Sequence, residues 1–257
     1  MSSDRRATST ARRGARTIAE VPREIIALLE TGLEESANHI EQMALSMPTL
    51  LRSVLSEIGT AQQAGRGGFL TRMRAAARLA YEHLGDDLFQ AALGWPSDTA
   101  RGWAAFAVTL KADLTLNERV HLAIPFADDP HFAVREWAWL GLRPAVVAAP
   151  LEAIAVLTPL ATSSSARLRR FASEATRPRG VWSSHIPLLK TEPWHGRALL
   201  DVLAKDSERY VQDSVANWVN DAAKGAPGWA KTVCHEWRRR GVVSERVVVR
   251  ASRSLIT

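Results

Sequence analysis

The sequence is poor in cysteine and has no long apolar segment. Cys234 is its one cysteine, so an intramolecular disulfide is excluded and a reducing cytoplasm is the expected compartment. No run approaches the ~18 consecutive apolar residues that a membrane helix needs, and the N-terminus lacks the apolar segment of a secretory signal. The seven histidines show no spacing typical of metal ligands. We therefore expect a cytoplasmic protein without a membrane partner, a metal or another cofactor.

Acidic residues are scarce at the N-terminus, where one aspartate stands against five arginines within residues 1–16. These arginines are Arg5, Arg6, Arg12, Arg13 and Arg16. The segment supplies four of the six net positive charges of the chain, and its wealth of Ser, Thr and Ala is typical of disorder. We predict a disordered basic tail over residues 1–17, which either attracts nucleic acid or stays solvated, and a single domain over residues 18–257.

Strand signals are also scarce. The run VVSERVVV at residues 242–249 is β-branched, but it has no partner strand nearby. Apolar residues instead recur three or four positions apart, the period of an amphipathic helix, in segments such as 18–29, 50–58 and 69–84. Prolines recur between the helical segments, where helices start or stop. The pattern predicts an all-α fold.

A sequence pattern recurs every 34 residues along these helical segments. The form R-x-aromatic-A begins at Arg101, Arg135 and Arg169, and Arg-Pro pairs begin at Arg143 and Arg177, also 34 residues apart. Looser copies follow near residues 211 and 249. This period is typical of helix pairs stacked as a solenoid, either HEAT-like or of another two-helix class. We predict that each pair buries its aromatic residue and alanine, that the preceding arginine faces outward, and that equivalent helices line one groove.

Three carboxylates fall on corresponding helices of this repeat, namely Glu136, Glu174 and Asp221. An acid in an arginine-lined groove repels phosphate, so its presence suggests a purpose such as meeting a cation or activating water. The alternative is a salt bridge to a neighbouring arginine, for example from Glu174 to Arg170 or Arg177 at helical spacing. The spacing alone leaves both interpretations open.

Trp182 differs from the other eight tryptophans because it follows Arg-Pro-Arg-Gly in a predicted inter-helix loop. A tryptophan there is able to stack on a base or to hold a cation by cation–π attraction. Most of the others, Trp103 and Trp137 included, are expected to be core residues. Two further patterns do not indicate a functional site. GRGGF at residues 65–69 lacks the Lys-Ser/Thr ending of a phosphate loop. The serines at residues 163–165 resemble a helix N-cap.

Three separated motifs resemble those of one known family. RRFASEATRPRGVW, at residues 169–182, is similar to the R-R-x-x-S-E-G-x-R-P-R-x-x-W signature of the AlkC-type bacterial DNA alkylation repair glycosylases. ANWVNDAAKGAP resembles their A-N-x-L-N-D-x-x-K-x-x-P motif, and EWAWLGLRP looks like E-F-A-x-R-P. The resemblance covers residues 65–256, with Ala175 in place of the motif glycine and Gly180-Val181 in place of Leu-Pro.

The resemblance implies a HEAT-like superhelix that holds duplex DNA in a concave basic groove. It implies a monomeric base-excision enzyme that hydrolyses the N-glycosidic bond of cationic alkylated bases such as 3-methyladenine and 3-methylcytosine. The acidic active-site positions of the family fall on Glu136, Glu174 and Asp221, and its base-contacting aromatic position falls on Trp182. Phosphate contacts are expected from Arg169, Arg170, Arg177, Arg179, Lys224 and Arg250. The immunoglobulin-like C-terminal domain of some members is not expected.

Two other hypotheses stay open. A non-catalytic HEAT-like module would bind DNA or recognise damage without excising it, and a protein-binding solenoid would present its arginines to an acidic partner. Salt-sensitive binding to duplex DNA separates these two. Release of a damaged base separates the glycosylase from both.

Overall fold

The computed structural model describes residues 12–56, 58–180, 182–241 and 243–255. These residues form helices and connecting loops, with no strand among them, so the predicted all-α fold is confirmed. The predicted N-terminal tail is described only from residue 12, and Arg5 and Arg6 lie outside the described residues. None of the described helices combines the length and the apolarity that a membrane crossing needs.

The first of two compact units ends at Trp103. Its helices are α1 (Arg23–Glu30), α2 (His39–Ala44), α3 (Met47–Val54), α4 (Phe69–Leu84), α5 (Asp87–Leu93) and the first part of α6 (Asp98–Ala107). Buried Asp98 links its segments, because it accepts hydrogen bonds from the backbone and hydroxyl of Ser36 and from the amide of Gln42. This unit contains none of the candidate site residues.

The second compact unit begins at Ala104 and is built from helix pairs. Its helices are α7 (Leu116–Ala127), α8 (Phe132–Ala148), α9 (Pro150–Leu157), α10 (Ala166–Thr176), α11 (Pro187–Thr191), α12 (Arg197–Leu203), α13 (Arg209–Ala223), α14 (Pro227–Arg240) and α15 (Glu245–Ser252). The helices α8, α10, α13 and α15 pack side by side in that order, and each is paired with the helix that precedes it, α7, α9, α12 or α14. The predicted stacking of helix pairs is therefore present in this unit, and corresponding helices form one row.

Local sequence signals account for several helix boundaries. The hydroxyl of Ser165 accepts hydrogen bonds from the backbone of Arg167 and Leu168, so the predicted N-cap begins α10. Thr115 and Glu118 form a reciprocal capping box at the start of α7. The second half of the β-branched run, residues 245–249, is helical in α15, where Val247 and Val248 are buried. Burial of one helical face outweighs the strand propensity of valine there.

The predicted position of the prolines between helices is wrong for two of them. Pro125 lies inside α7 and Pro144 lies inside α8. An internal proline costs about 3 kcal/mol because it removes a hydrogen bond and crowds the preceding turn. In α8 the buried side chains on both sides of Pro144 offset this cost. The two Arg-Pro pairs therefore differ, because α8 continues beyond Arg143 whereas α10 ends at Arg177, its C-cap.

The expectation that the repeat arginines face outward is also wrong. The Nη1 atoms of Arg101, Arg135 and Arg169 each donate to the two backbone carbonyls five and six positions earlier, over distances of 2.8–3.1 Å. Arg101 is 6% exposed. These carbonyls lie in the loop before each helix, outside the hydrogen-bond ladder of that helix, and one guanidinium nitrogen binds both of them and closes the loop. The repeated arginine is thus a structural clamp, while the aromatic positions Trp103, Trp137 and Phe171 are buried as predicted.

Candidate active site

The row of helices α8, α10 and α13 brings the three predicted carboxylates into one ion-pair network. The guanidinium of Arg170 lies 3.2 Å from Glu136 Oε1 and 3.1 Å from Glu174 Oε1. The guanidinium of Arg177 lies 2.9 Å from Glu174 Oε2 and 2.7 Å from Asp221 Oδ2. Acids and arginines therefore alternate in the order Glu136, Arg170, Glu174, Arg177, Asp221. We call these five residues the carboxylate chain.

The carboxylate chain begins and ends with an acid, so it holds three negative and two positive charges. Within the described part of the protein, Asp221 Oδ1 approaches a cation only at Lys224 Nζ, 3.9 Å away. Glu174, in the middle, is 1% exposed, whereas the side chain of Glu136 is 26% exposed. The carboxylate chain thus carries one net negative charge if Lys224 is not included, and it is surrounded by many arginines.

Burial and charge act differently on two of these carboxyl groups. Burial acts to raise the pKa of Glu174, but the opposing attraction of Arg170 and Arg177 is stronger, and the pKa is lowered. Burial also raises the pKa of Asp221, and there Arg177 and Lys224 do not overcome it, so the pKa is raised. Glu174 is therefore the stronger acid and Asp221 the better proton acceptor.

An aromatic residue that the sequence analysis missed supports this network. The guanidinium carbon of Arg170 lies 4.4 Å from the ring centroid of Tyr210, within cation–π range. Arg135 donates from Nε to the hydroxyl of Tyr210 at 3.0 Å. Tyr210 stands at the start of α13 with no motif to mark it, so only the packing of α13 on α10 reveals its role.

Trp139 is a second residue without a predicted role. Its indole Nε1 donates to Glu136 Oε2 at 2.8 Å, from one turn later on α8. Trp139, Glu136, Glu174 and Tyr210 line a small cavity of about 10 Å³. A cavity of that size holds about one water molecule. It is too small for a nucleobase.

The loop that follows α10 carries Trp182 and contacts this network through Arg179, whose Nε donates to the backbone oxygen of Asp221. The backbone of Ile186 donates to Pro178 O at 3.0 Å and closes the loop. Trp182 is 48% exposed and has φ of 65°, a left-handed conformation that is uncommon for a bulky side chain. A Cβ at Gly180 would come within 1.9 Å of Ser183 Oγ, so a larger residue there would force the serine side chain to turn away. The loop therefore presents a large aromatic ring at a strained position.

The same loop lies in a positive field. The pKa of exposed His185 is lowered, first by partial burial and then by repulsion from Lys190, Arg179 and Arg143. A field of that sign attracts phosphate.

The predicted phosphate-binding cations are not equivalent. The side chain of Lys224 is 48% exposed and that of Arg250 is 37% exposed, while Arg179 is half-buried and donates to the backbone oxygen of Asp221 at 3.3 Å. Arg170 and Arg177 are committed to the carboxylate chain. Arg169 is committed to the fold, because its Nη2 donates to Asp206 at 3.0 Å while its Nη1 closes the preceding loop.

Comparison with solved structures identifies the same architecture elsewhere. Pseudomonas fluorescens alkylpurine DNA glycosylase AlkC, bound to DNA containing an abasic site analog, matches 95% of this chain with a TM-score of 0.68 and 20% sequence identity. The chain has the fold of this glycosylase. The match covers 66% of the glycosylase chain, so this protein spans just under two thirds of it.

A curated relative matches a shorter segment. Uncharacterized protein YhaZ of Bacillus subtilis strain 168 is 32% identical over 115 residues, which make up 45% of this chain and 32% of the relative. The match therefore spans about a third of the length of that protein. No family model matches the sequence.

Proposed function

We propose that this protein is a DNA glycosylase that hydrolyses the N-glycosidic bond of cationic alkylated bases of the 3-methyladenine and 3-methylcytosine type. The observation that carries the proposal is Glu174, a buried carboxylate that two arginines keep ionised beside an Asp221 of raised pKa. A pair of carboxyl groups with opposite pKa shifts is typical of an active site. The shared fold with a glycosylase that is bound to DNA supports the same assignment.

The chemistry of the lesion matches the charge of the site. Alkylation at N3 gives the base a positive charge, so the base leaves with the electron pair of the C1′–N bond without first being protonated. The sugar that remains has oxocarbenium character and needs a nearby negative charge. The carboxylate chain supplies one net negative charge, which favours both the cationic base and the developing sugar cation.

The opposite pKa shifts of Glu174 and Asp221 suit the two acids to different roles. Glu174 stays ionised and stabilises the sugar cation electrostatically, since its pKa is lowered. Asp221 accepts a proton from the attacking water, whose oxygen forms the new bond to C1′. Its Oδ2 is occupied by Arg177, so Oδ1 is the oxygen that we assign to the water. Glu136 extends the negative charge toward the surface and positions Arg170.

Trp182 is the residue that we assign to the damaged base. The cavity beside Glu174 has room for about one water molecule and is too small for a nucleobase, whereas the ring of Trp182 is exposed. The face of an indole attracts a cationic ring. A neutral base gains less from the same contact.

Duplex DNA is the proposed partner of a monomeric protein, and phosphates are its points of attachment. Lys224, Arg250 and Arg179 carry this role, since the first two are partly exposed and Arg179 belongs to the positive loop. Arg170 and Arg177 contribute to the same potential while they hold the acids. We do not assign a phosphate contact to Arg169. Contacts of this kind give affinity without sequence preference.

Base release from methylated DNA tests the proposal. We expect wild-type protein to release 3-methyladenine from methylated duplex DNA and 3-methylcytosine from an oligonucleotide that contains it, as measured by chromatography of the free bases. The main alternative is a non-catalytic protein that binds damaged DNA, which the ion pairing of all three acids favours. Binding to each DNA without release of either base would establish that alternative.

A further inference from the structure

Arg143 is a buried cation that binds backbone carbonyls. It lies inside α8 and is 2% exposed. Its Nε donates to Ser184 O at 2.8 Å, its Nη1 to Ala175 O at 2.9 Å and its Nη2 to Arg177 O at 2.6 Å. All three nitrogens of the guanidinium therefore donate, two of them to the end of α10 and one to the loop that follows it.

Burial of the Arg143 charge costs free energy. Burial is the main reason that the pKa of Arg143 is lowered to about 10, and repulsion from Arg177 adds to it. The negative end of the α10 dipole, at Ala175 and Arg177, offsets part of the cost of a buried charge. The three carbonyl acceptors offset more of that cost, and an apolar residue in place of Arg143 would leave all three without this donor.

The three acceptors show what Arg143 joins. Ala175 follows Glu174 directly, and Arg177 is the link between Glu174 and Asp221 in the carboxylate chain. Ser184 stands two residues after Trp182 in the loop that presents the ring. One guanidinium therefore binds both the helix end that holds the acids and the loop that holds the aromatic ring.

We infer that Arg143 is a positioning residue that fixes Glu174 and the Trp182 loop in a single arrangement, an inference that rests on the proposed function. It touches neither the base nor the water in this scheme. Its effect passes through Ala175, Arg177 and Ser184. A displacement of about 1 Å between groups that act together costs roughly 100-fold in rate, so loosening this clamp should slow excision more than it weakens DNA binding.

The test compares Arg143→Lys and Arg143→Met with wild type in full-length protein. The control is Arg119→Met, because Arg119 also binds two carbonyls in the same unit, at Val108 and Ala112, but reaches neither α10 nor the Trp182 loop. Three quantities are measured: the excision rate with protein in excess over methylated duplex, the Kd for undamaged duplex, and the rate of trypsin cleavage after Arg179. Circular dichroism checks that each variant is folded. If Arg143→Met does not fold, Arg143→Lys tests the inference in its place.

The inference predicts a rate loss of about 100-fold for Arg143→Met and about 10-fold for Arg143→Lys, with Kd changed less than 3-fold. Trypsin should cut after Arg179 at least 10-fold faster in Arg143→Met and no faster in Arg119→Met. A rate within 3-fold of wild type in folded Arg143→Met, or equal cleavage of the two methionine variants, would overturn the inference. If wild type releases no base, the proposed function has failed, and cleavage after Arg179 still decides whether Arg143 holds the loop.

Discussion

Arg177 Nη2 lies 2.7 Å from Oδ2 of Asp221, a residue 44 positions later in the chain. The same guanidinium lies 2.9 Å from Glu174 on its own helix, so one cation couples the acids of two neighbouring helix pairs. A proton gained by one acid changes the field at the other. Glu174 and Asp221 are therefore electrostatically coupled through Arg177, and a substitution at one of these acids changes the field at the other.

Glu174→Gln should reduce both excision and stability. The amide keeps the shape of the side chain but leaves Arg170 and Arg177 with one fewer buried counter-ion. We expect the excision rate to fall at least about 100-fold and the free energy of unfolding to fall by about 3 kcal/mol. Single-turnover excision and urea denaturation measure the two effects. Exposed Glu152→Gln is the control, and an unchanged rate in folded Glu174→Gln would remove Glu174 from the mechanism.

The opposite pKa shifts of Asp221 and Glu174 predict that acid stops activity before it removes stability. Asp221 must be ionised to accept a proton, and its pKa is raised, so the excision rate should fall at a pH above the ordinary aspartate value of 3.8. The lowered pKa of Glu174 means that its stabilising ion pairs are complete above the usual 4.5 and are lost only below it. Excision rate and circular dichroism, followed over the same pH series, separate the two.

Asp221→Asn checks the assignment of that pH dependence. The variant should lose most of the excision rate, and the fraction that remains should no longer show the acid-side fall. If the excision rate of Asp221→Asn decreases at acid pH in the same way as that of wild type, another group accepts the proton and Asp221 serves only to hold Arg177.

The cations of the site should differ in how they contribute to DNA affinity. Each phosphate contact contributes about 0.9 to the slope of log affinity against log salt concentration. We expect Lys224→Gln and Arg179→Gln each to lower the slope by about that amount on undamaged duplex. Arg169→Gln should leave the slope unchanged and lower thermal stability, because Asp206 and the preceding loop already bind its guanidinium. A slope reduced by Arg169→Gln would return Arg169 to the DNA interface.

The fold was predictable because local signals and the repeat agree. Helical periodicity, the N-cap at Ser165 and the buried aromatic positions all point to stacked helix pairs. The meaning of the repeated arginine was not predictable. An arginine before a buried aromatic is compatible with an exposed side chain or with a loop clamp, and only the backbone path of the preceding loop decides between them.

The candidate site was only partly predictable for a related reason. Glu136, Glu174 and Asp221 lie in one network, as their positions on corresponding helices of the repeat suggested. The roles of Tyr210 and Arg143 were not predicted because they depend on contacts between segments that are distant in sequence. The Arg-Pro pairs 34 residues apart did mark Arg143, but they could not reveal that one arginine binds carbonyls while the other binds acids.

Trp182 should decide whether the protein distinguishes cationic bases from neutral ones. The ring of Trp182 is exposed and its backbone is strained. Two variants are therefore needed to distinguish the effect of losing the ring from the effect of relieving the backbone strain. Trp182→Ala keeps the unfavourable φ, whereas Trp182→Gly relieves it and should be more stable than the alanine variant by about 1 kcal/mol. Both should excise cationic bases roughly 10- to 30-fold more slowly, since a desolvated cation–π contact contributes about 2 kcal/mol. Trp194→Ala, which removes another exposed tryptophan of 52% exposure, should keep the wild-type rate. If the excision rate falls equally for 3-methyladenine and for a neutral alkylated purine, the ring recognises the shape of the base rather than its charge.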